Sequence, residues 1–164
     1  MDKTVVRARE FAVSAHGDQR YGDRPYADHL DAVAALLAPY GEQAQAIGYL
    51  HDVVEDTATS LEDVRREFGD DVAAIVGIVT DEPGANRRDR KARTNAKLSA
   101  VASGKELALV VKAADRLANL RESAAGGPAS KLGMYRREHP EFQAAAHRPG
   151  LCDELWREMD RILS

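Results

Sequence analysis

The sequence predicts an all-α protein, and three of its features support that fold class. Apolar residues recur at intervals of three and four along nearly the whole chain, which is the spacing of one face of a helix. Clusters of glycine and proline separate these stretches. No alternation of apolar and polar residues is long enough to indicate a strand of useful length. We therefore expect about eight to ten helices in a single compact domain over residues 1–164.

The helices are predicted from the apolar pattern, in chain order. The first has an apolar face made of Val5, Val6, Ala8, Phe11, Ala12 and Ala15. The others are predicted over residues 28–38, 42–56, 60–67, 70–80, 88–103, 105–122, 129–137 and 151–163. The clearest helix start is at Ser60, which with Asp63 resembles a capping arrangement, and Gly69 follows the end of the same helix. The last helix carries an apolar stripe, typical of a core or an oligomer contact, formed by Leu151, Leu155, Trp156, Met159 and Leu163.

The composition argues against several classes of protein. The chain has 23 basic and 27 acidic residues and a formal charge of -4, whereas a dedicated nucleic-acid binder usually has a basic excess. The longest apolar stretch, residues 73–80, is far too short to cross a bilayer. Cys152 is the one cysteine and cannot form an internal disulfide, and the N-terminal segment lacks a signal-peptide pattern. We therefore expect a soluble, cytoplasmic protein with neither nucleic acid nor membrane as a partner.

The segment 51–57, with sequence HDVVEDT, is the first candidate site. Since each residue of a helix advances by about 100°, one side of the predicted helix should carry His51, Asp52, Glu55 and Asp56. Val53 and Val54 are expected on the opposite, core-facing side. A group rich in carboxylates repels itself unless a cation or protons neutralise it. The segment therefore predicts a metal site.

An adjacent His-Asp pair is weak evidence by itself. Five histidines and 15 aspartates in 164 residues give about 0.5 such pairs by chance. Two further residues strengthen the interpretation: His29, and Asp115, which interrupts an otherwise apolar helix face. Two imidazoles and two carboxylates, with water in the remaining positions, suit six-coordinate Mn²⁺, Fe²⁺ or Mg²⁺ better than tetrahedral zinc.

The order of these residues resembles the HD phosphohydrolase superfamily, and longer strings narrow the resemblance. They are Gln19-Arg20, Pro25-Tyr26-x-x-His29, HDVVEDT at 51–57, FGDDVAAIVGIVTDE at 68–82 and KAADRLANLR at 112–121. Together they resemble the hydrolase domain of RelA/SpoT enzymes, and most closely the stand-alone small alarmone hydrolases, which include the animal SpoT homologue. The resemblance is strongest over residues 5–137 and implies a compact HD-domain helical bundle.

The resemblance also implies an activity. The family hydrolyses the 3′-diphosphate of ppGpp or pppGpp, releasing pyrophosphate and GDP or GTP, usually with Mn²⁺. On this chain it implies a metal bound by His29, His51, Asp52 and Asp115. Glu55 and Asp56 would orient or deprotonate the attacking water, since a nearby carboxylate can accept its proton.

The nucleotide contacts follow from the resemblance as well. It implies Arg20 beside the guanine nucleotide, Asn119 near the ribose, and Arg87, Lys131 and Tyr135 at the phosphates. Arg87 belongs to a basic run over 87–93 that could equally be a solvated helix face. The chain departs from the family at Tyr21, where the long enzymes commonly have lysine, at Leu30, where proline is frequent, and after Tyr135.

Other interpretations stay open at this point. The same metal site could act on another nucleotide, such as NADPH with removal of its 2′-phosphate, because Tyr21 leaves guanine preference open. The chain could instead be a non-catalytic nucleotide-binding HD module, and it could form a homo-oligomer. Asp115 could simply pair with a neighbouring cation. The remaining histidines have no partners at ligand spacing and are interpreted as surface or packing residues: His16, His139 and His147.

Overall fold

The regular structure of the protein is almost entirely helical, as predicted. The structure, a computed structural model, describes residues 2–164, and within them it has ten α-helices and a sheet of two very short strands. The chain divides into two compact units, the first ending at Asp81 and the second beginning at Glu82. None of the helices over 2–164 combines the length and the apolar character needed to cross a membrane.

The first unit is organised around its third helix. In order it contains α1 (Lys3–His16), β1 (Arg20–Tyr21), β2 (Arg24–Pro25), α2 (Tyr26–Leu37), a 3₁₀ helix (Ala38–Tyr40), α3 (Glu42–Leu50), α4 (Val53–Asp56), α5 (Leu61–Phe68) and α6 (Asp70–Val79). Helix α3 packs against α1, α2 and α6. Gly48 allows α3 to approach α2 closely, because a Cβ here would lie 2.7 Å from Cδ1 of Leu37. This close packing sets the position of α2, which carries His29, relative to the end of α3, which His51 follows.

The single helix predicted over 42–56 is wrong, because the chain turns at His51 and Asp52. Helix α3 ends at Leu50, and Asp52 has φ -105° and ψ 0°, outside the helical range. The imidazole of His51 donates from Nδ1 to the Gly48 carbonyl at 2.6 Å, and this is the carbonyl that a continuing helix would offer to the amide of Asp52. A side chain thus competes with the backbone ladder at the site.

The short helix α4 buries only one of the two valines that were predicted to face the core. Val53 is fully buried, as expected for a core residue, whereas Val54 is only half-buried. The expectation that both valines face the core was wrong for Val54, since the turn before α4 rotates this segment relative to α3.

Helix α5 begins with the predicted cap. The Ser60 side chain accepts a hydrogen bond from the Asp63 amide at 3.0 Å, and the Asp63 carboxylate accepts one from the Ser60 amide at 2.9 Å. Two backbone donors at the helix start are thereby satisfied. Gly69 follows the helix with φ +91°, a conformation that favours glycine.

The second unit consists of α7 (Arg87–Ser99), α8 (Leu107–Gly126), α9 (Ala129–Ala146) and α10 (Asp153–Leu163). Helix α9 contacts α7, α8 and α10, and α10 also contacts α8. The predicted end of α7 at residue 103 was wrong. The amides of Ala100 and Val101 instead bond three residues back, to Lys97 and Leu98, and end the helix.

Helix α9 is nine residues longer than predicted and contains Pro140. A proline inside a helix costs about 3 kcal/mol, but Phe142, Ala145 and Ala146 beyond it are buried. Their burial outweighs the local propensity. The apolar stripe of α10 is core: Leu155, Trp156, Met159 and Leu163 are buried, and Leu151, which precedes the helix, is half-buried.

Candidate active site

Two buried histidines form the centre of the candidate site in the first unit. His29 lies in the first turn of α2 and is 3% exposed, while His51 follows α3 and is 2% exposed. Their ring centroids are 5.5 Å apart at an interplanar angle of 62°. Tyr21 of β1 stacks on the His29 ring at 4.6 Å and 29°. Tyr21, one of the positions at which the chain departs from the family pattern, therefore packs directly against a predicted metal ligand.

Asp52 completes a cluster with these two imidazoles. One ligand atom from each of His29, His51 and Asp52 lies within 4.8 Å of the others. The Asp52 carboxylate is half-buried and accepts a hydrogen bond from the hydroxyl of Tyr26. Its Oδ2 also lies 3.0 Å from Nε2 of His51. The arrangement is a His/Asp cluster compatible with a divalent metal ion.

The tautomer of His51 fits a metal ligand. Because Nδ1 donates its proton to the Gly48 carbonyl, the neutral ring presents a lone pair on Nε2, the atom 3.0 Å from the Asp52 carboxylate. A lone pair and an anion at this distance need a proton or a cation between them. Metal-bound histidines characteristically donate their second ring N–H to a carbonyl or carboxylate. The observed geometry therefore matches a ligand orientation.

The two predicted catalytic acids lie on α4 and are exposed. Oε1 of Glu55 accepts a hydrogen bond from the Asp81 amide at 2.9 Å. Oδ2 of Asp56 accepts one from Nε2 of Gln19 at 3.1 Å. Each carboxylate is thus tied at one oxygen to a distant part of the first unit.

In the second unit, Asp115 and Asn119 lie one turn apart on α8, as predicted. Both are half-buried, and Nδ2 of Asn119 donates to Oδ1 of Asp115 at 3.2 Å. The helix positions around Asp115 are buried and apolar: Val111, Ala114 and Ala118. This carboxylate therefore lies on the apolar face that the sequence indicated.

Arg87 and Tyr135 belong to a charged cluster that the sequence did not predict. Nε and Nη2 of Arg87 donate to the two carboxylate oxygens of Glu138 at 2.8 and 3.1 Å. Arg116, which is buried, lies with its guanidinium carbon 4.9 Å from the Tyr135 ring centroid and 4.4 Å from that of Phe142. Its Nη2 is 3.5 Å from Glu138. Two guanidinium groups, one carboxylate and a phenol thus form one cluster.

Burial and the neighbouring charges shift the pKa values of three residues in this cluster. Burial lowers the pKa of Arg116 and raises the pKa of Tyr135. Burial alone would raise the pKa of Glu138, but the hydrogen bond and charge of Arg87 and the charge of Arg116 outweigh it and lower that pKa. The glutamate therefore stays ionised between the two arginines.

The remaining predicted contacts are exposed. Arg20 lies on β1 and donates to the Asp23 carbonyl, and Lys131 lies near the start of α9. Within the basic run, Arg93 pairs with Asp89 at 3.3 Å.

Comparison with known proteins gives a family. A family model described as "HD domain" matches residues 8–151. A probable guanosine-3′,5′-bis(diphosphate) 3′-pyrophosphohydrolase of Synechocystis is 35% identical over 95% of this chain and 21% of its own length. The guanosine-3′,5′-bis(diphosphate) 3′-pyrophosphohydrolase MESH1 of Drosophila melanogaster is 35% identical over 69% of this chain and 65% of its own length.

The fold has a counterpart among solved structures. A protein described as a metazoan ortholog of SpoT that hydrolyzes ppGpp aligns with a TM-score of 0.85 and 26% identity, over 99% of this chain and 94% of that one. The resemblance predicted from the motifs is confirmed. The chain spans about a fifth of the length of the Synechocystis protein and of two further bacterial relatives.

Proposed function

The chain belongs to the HD domain family, and from that membership we propose that it hydrolyses the 3′-diphosphate of ppGpp and pppGpp. A water oxygen bonds to the phosphorus next to the ribose, and the bond from that phosphorus to the 3′ oxygen breaks. Pyrophosphate and GDP or GTP are the products. The observation that carries the proposal is the cluster of two buried imidazoles and Asp52, followed within one short helix by two further carboxylates. The names of the relatives, which specify this reaction for those proteins, support it.

We propose that His29, His51, Asp52 and Asp115 together hold one divalent ion, Mn²⁺. Two imidazoles and two carboxylates, with water in the remaining positions, suit a six-coordinate ion better than tetrahedral zinc. When bound, the ion would lower the pKa of a water molecule and polarise a phosphoryl oxygen. The lone pair that His51 directs toward Asp52 supports this assignment.

The role of Asp115 rests on its place in α8. It is a half-buried carboxylate on an otherwise apolar helix face, where a charge is stable only when it is paired or bound to a metal. One of its oxygens, Oδ1, accepts from Asn119. Such support orients a ligating carboxylate, and similar outer contacts are typical of metal sites.

We assign the proton transfer to the acids of α4. Asp56 accepts the proton of the attacking water, and Glu55 orients that water. Each has one oxygen fixed by a hydrogen bond, from Gln19 and from the Asp81 amide respectively. We propose that Oδ1 of Asp56, the oxygen not bonded to Gln19, takes the proton. A positioned base of this kind contributes about 10²–10⁴-fold to a rate.

Five side chains are proposed to bind the nucleotide. We propose Arg20 and Asn119 for the nucleoside, and Arg87, Lys131 and Tyr135 for the phosphates. Arg87 is already oriented by its paired hydrogen bonds to Glu138, and Arg116 lies against the Tyr135 ring. This excess of positive charge over the single glutamate suits a polyanionic substrate.

The domain extent, the cellular location and the partners of the enzyme are also proposed. We propose that residues 1–164 act as one phosphohydrolase domain in the cytoplasm, where a nucleotide substrate is available. Its partner is the nucleotide, with no nucleic acid or membrane involved, and the possible homo-oligomer stays a prediction. The α10 stripe gives that oligomer no support, since its helical members are buried within the chain.

The test is a substrate panel with purified, metal-loaded protein. Pyrophosphate release from ppGpp and pppGpp is compared with phosphate release from NADPH and GDP. We expect turnover of the two alarmones, and we expect Asp52→Asn to lower it about 100-fold or more because a ligand is lost. Asp63→Asn, the same change at the cap of α5, is the matched control and should keep full activity. Preferential turnover of NADPH would reassign the substrate, and tight ppGpp binding without turnover would make the chain a binding module.

A further inference from the structure

His16, the last residue of α1, begins a chain of hydrogen bonds that reaches α4. Its ring is buried, and its Nδ1 lies 2.7 Å from Oε1 of Gln19. Nε2 of Gln19 in turn donates to Oδ2 of Asp56 at 3.1 Å. Three side chains from separate segments therefore connect the interior of the first unit to an exposed carboxylate. Sequence reasoning interpreted His16 as a surface or packing residue and gave it no role.

The donors and acceptors in this chain of hydrogen bonds follow a defined order. An ionised carboxylate only accepts hydrogen bonds, so the amide nitrogen of Gln19 must face Asp56 and the amide oxygen must face His16. His16 then has to donate, which places its proton on Nδ1. Nε2 of His16 is buried and has no hydrogen-bond partner among residues 2–164. A buried acceptor without a partner is tolerated more often than a buried N–H, which supports the same tautomer.

Asp56 lies at the solvent-facing end of this chain of hydrogen bonds. It is exposed and ends a helix of only four residues that follows a turn. His16, by contrast, is packed against the ring of Tyr26, with centroids 4.6 Å apart at 34°. The backbone of Gln19 is also fixed, since its amide donates to the His16 carbonyl at 3.0 Å. His16 is therefore the buried end of this chain of hydrogen bonds, and Asp56 is its exposed end.

We propose that His16 is a positioning residue for Asp56 and acts through Gln19. It sets the orientation of the Gln19 amide, which fixes Oδ2 of Asp56 and leaves Oδ1 directed to the attacking water. No proton moves along this chain of hydrogen bonds: Asp56 takes a proton from the attacking water, and the departing 3′ oxygen receives a proton from Asp56 or from solvent. The inference rests on the proposed function, since Asp56 is the base of that reaction.

The kinetic test uses variants that separate hydrogen bonding from packing. His16→Phe keeps the ring against Tyr26 but removes the donor, and Gln19→Met removes both hydrogen bonds at similar side-chain length. His16→Asn restores an N–H near the position of Nδ1. For ppGpp we expect kcat to fall about 10-fold in the first two variants, with KM changed less than about twofold, because the base is misplaced and not removed. His16→Asn should recover part of kcat.

A double-variant cycle shows whether His16 acts through Asp56. In an Asp56→Asn background, His16→Phe should have no further effect on kcat, because the group that it positions is already neutral. A fall of kcat by the same factor in both backgrounds would overturn the inference, since His16 would then act on something else.

A second readout is independent of activity. Nitrogen NMR of the labelled histidine rings in metal-free protein should show His16 protonated on Nδ1, and Gln19→Met should shift that ring toward the Nε2-protonated form. An Nε2-protonated His16 in the unmodified protein would overturn the inference whatever the substrate is. If the protein shows the Nδ1 form but does not turn over ppGpp, the proposed function fails while the hydrogen-bonded arrangement stands.

Discussion

Gly48 lies where α3 packs against α2, and its replacement by alanine should weaken both the fold and the metal site. The added Cβ would lie 2.7 Å from Cδ1 of Leu37, whereas ordinary contact begins near 3.4 Å. Leu37 is fully buried and cannot turn toward solvent. The next atoms, of Val33 and Ala34, are already at 3.5 and 3.6 Å. The two helices must therefore move apart or repack.

The expected size of the effect follows from two opposing contributions. Overpacking a buried site costs about 1–3 kcal/mol, and exchanging glycine for alanine inside a helix returns about 1 kcal/mol. We expect a net loss of about 1 kcal/mol in the free energy of unfolding. Helix α2 carries His29, and the Gly48 carbonyl holds His51 at 2.6 Å. A shift between the helices should therefore lower metal affinity about 10- to 100-fold, as loss of an outer contact does.

The assay is urea unfolding of chelated protein together with a calorimetric metal titration. Gly133→Ala is the matched control, because a Cβ there would meet only Nη1 of Arg137 at an ordinary 3.6 Å. The control should gain up to about 1 kcal/mol through helix propensity and bind metal normally. If Gly48→Ala were as stable as the control and bound metal with unchanged affinity, the argument from close helix packing would be refuted.

Two further predictions concern ion pairs. Arg9 donates hydrogen bonds to Asp31 at 2.8 and 3.1 Å and thereby lowers the pKa of that carboxyl. The stability from this pair is present at neutral pH and is lost as the pH falls below about 4. Asp31→Asn should thus lower the Tm at pH 7. The difference in Tm between the variant and the unmodified protein should become smaller at about pH 3. An equal difference in Tm at both pH values would contradict this prediction. Glu138→Gln removes a negative charge that lies beside the buried guanidinium of Arg116. It should lower the free energy of unfolding, measured in urea, by about 3 kcal/mol. Glu158→Gln, at an exposed ion pair, should cost less than about 1 kcal/mol, and equal costs would count against the role of burial.

The sequence predicted most helices because their stability depends on repeating apolar faces. The cap of α5 could be predicted as well, since Ser60 and Asp63 satisfy local backbone donors at fixed spacing. The turn at His51 and Asp52 could not, because it coincides with a bond from one side chain to the Gly48 carbonyl. Apolar periodicity carries no information about such a bond.

Some residues of the candidate site could likewise be predicted from the sequence, and others could not. His29, His51 and Asp52 were predicted from their order in the chain, and the structure groups them in the first unit. The positioning role inferred for His16 could not be predicted, since it depends on where the Gln19 amide and the Asp56 carboxylate lie in space. The three-residue spacing of His16 and Gln19 along the chain was the one signal available.

We propose that a divalent ion held by the His/Asp cluster drives hydrolysis of the 3′-diphosphate. The most direct measurement is pyrophosphate release from ppGpp by fully chelated protein as Mn²⁺ is added back. We expect no release without metal and a rise to full activity at about one ion per chain, since the proposed ligands would form one site. Full activity in chelated protein, or none at saturating Mn²⁺, Fe²⁺ and Mg²⁺, would contradict the claim.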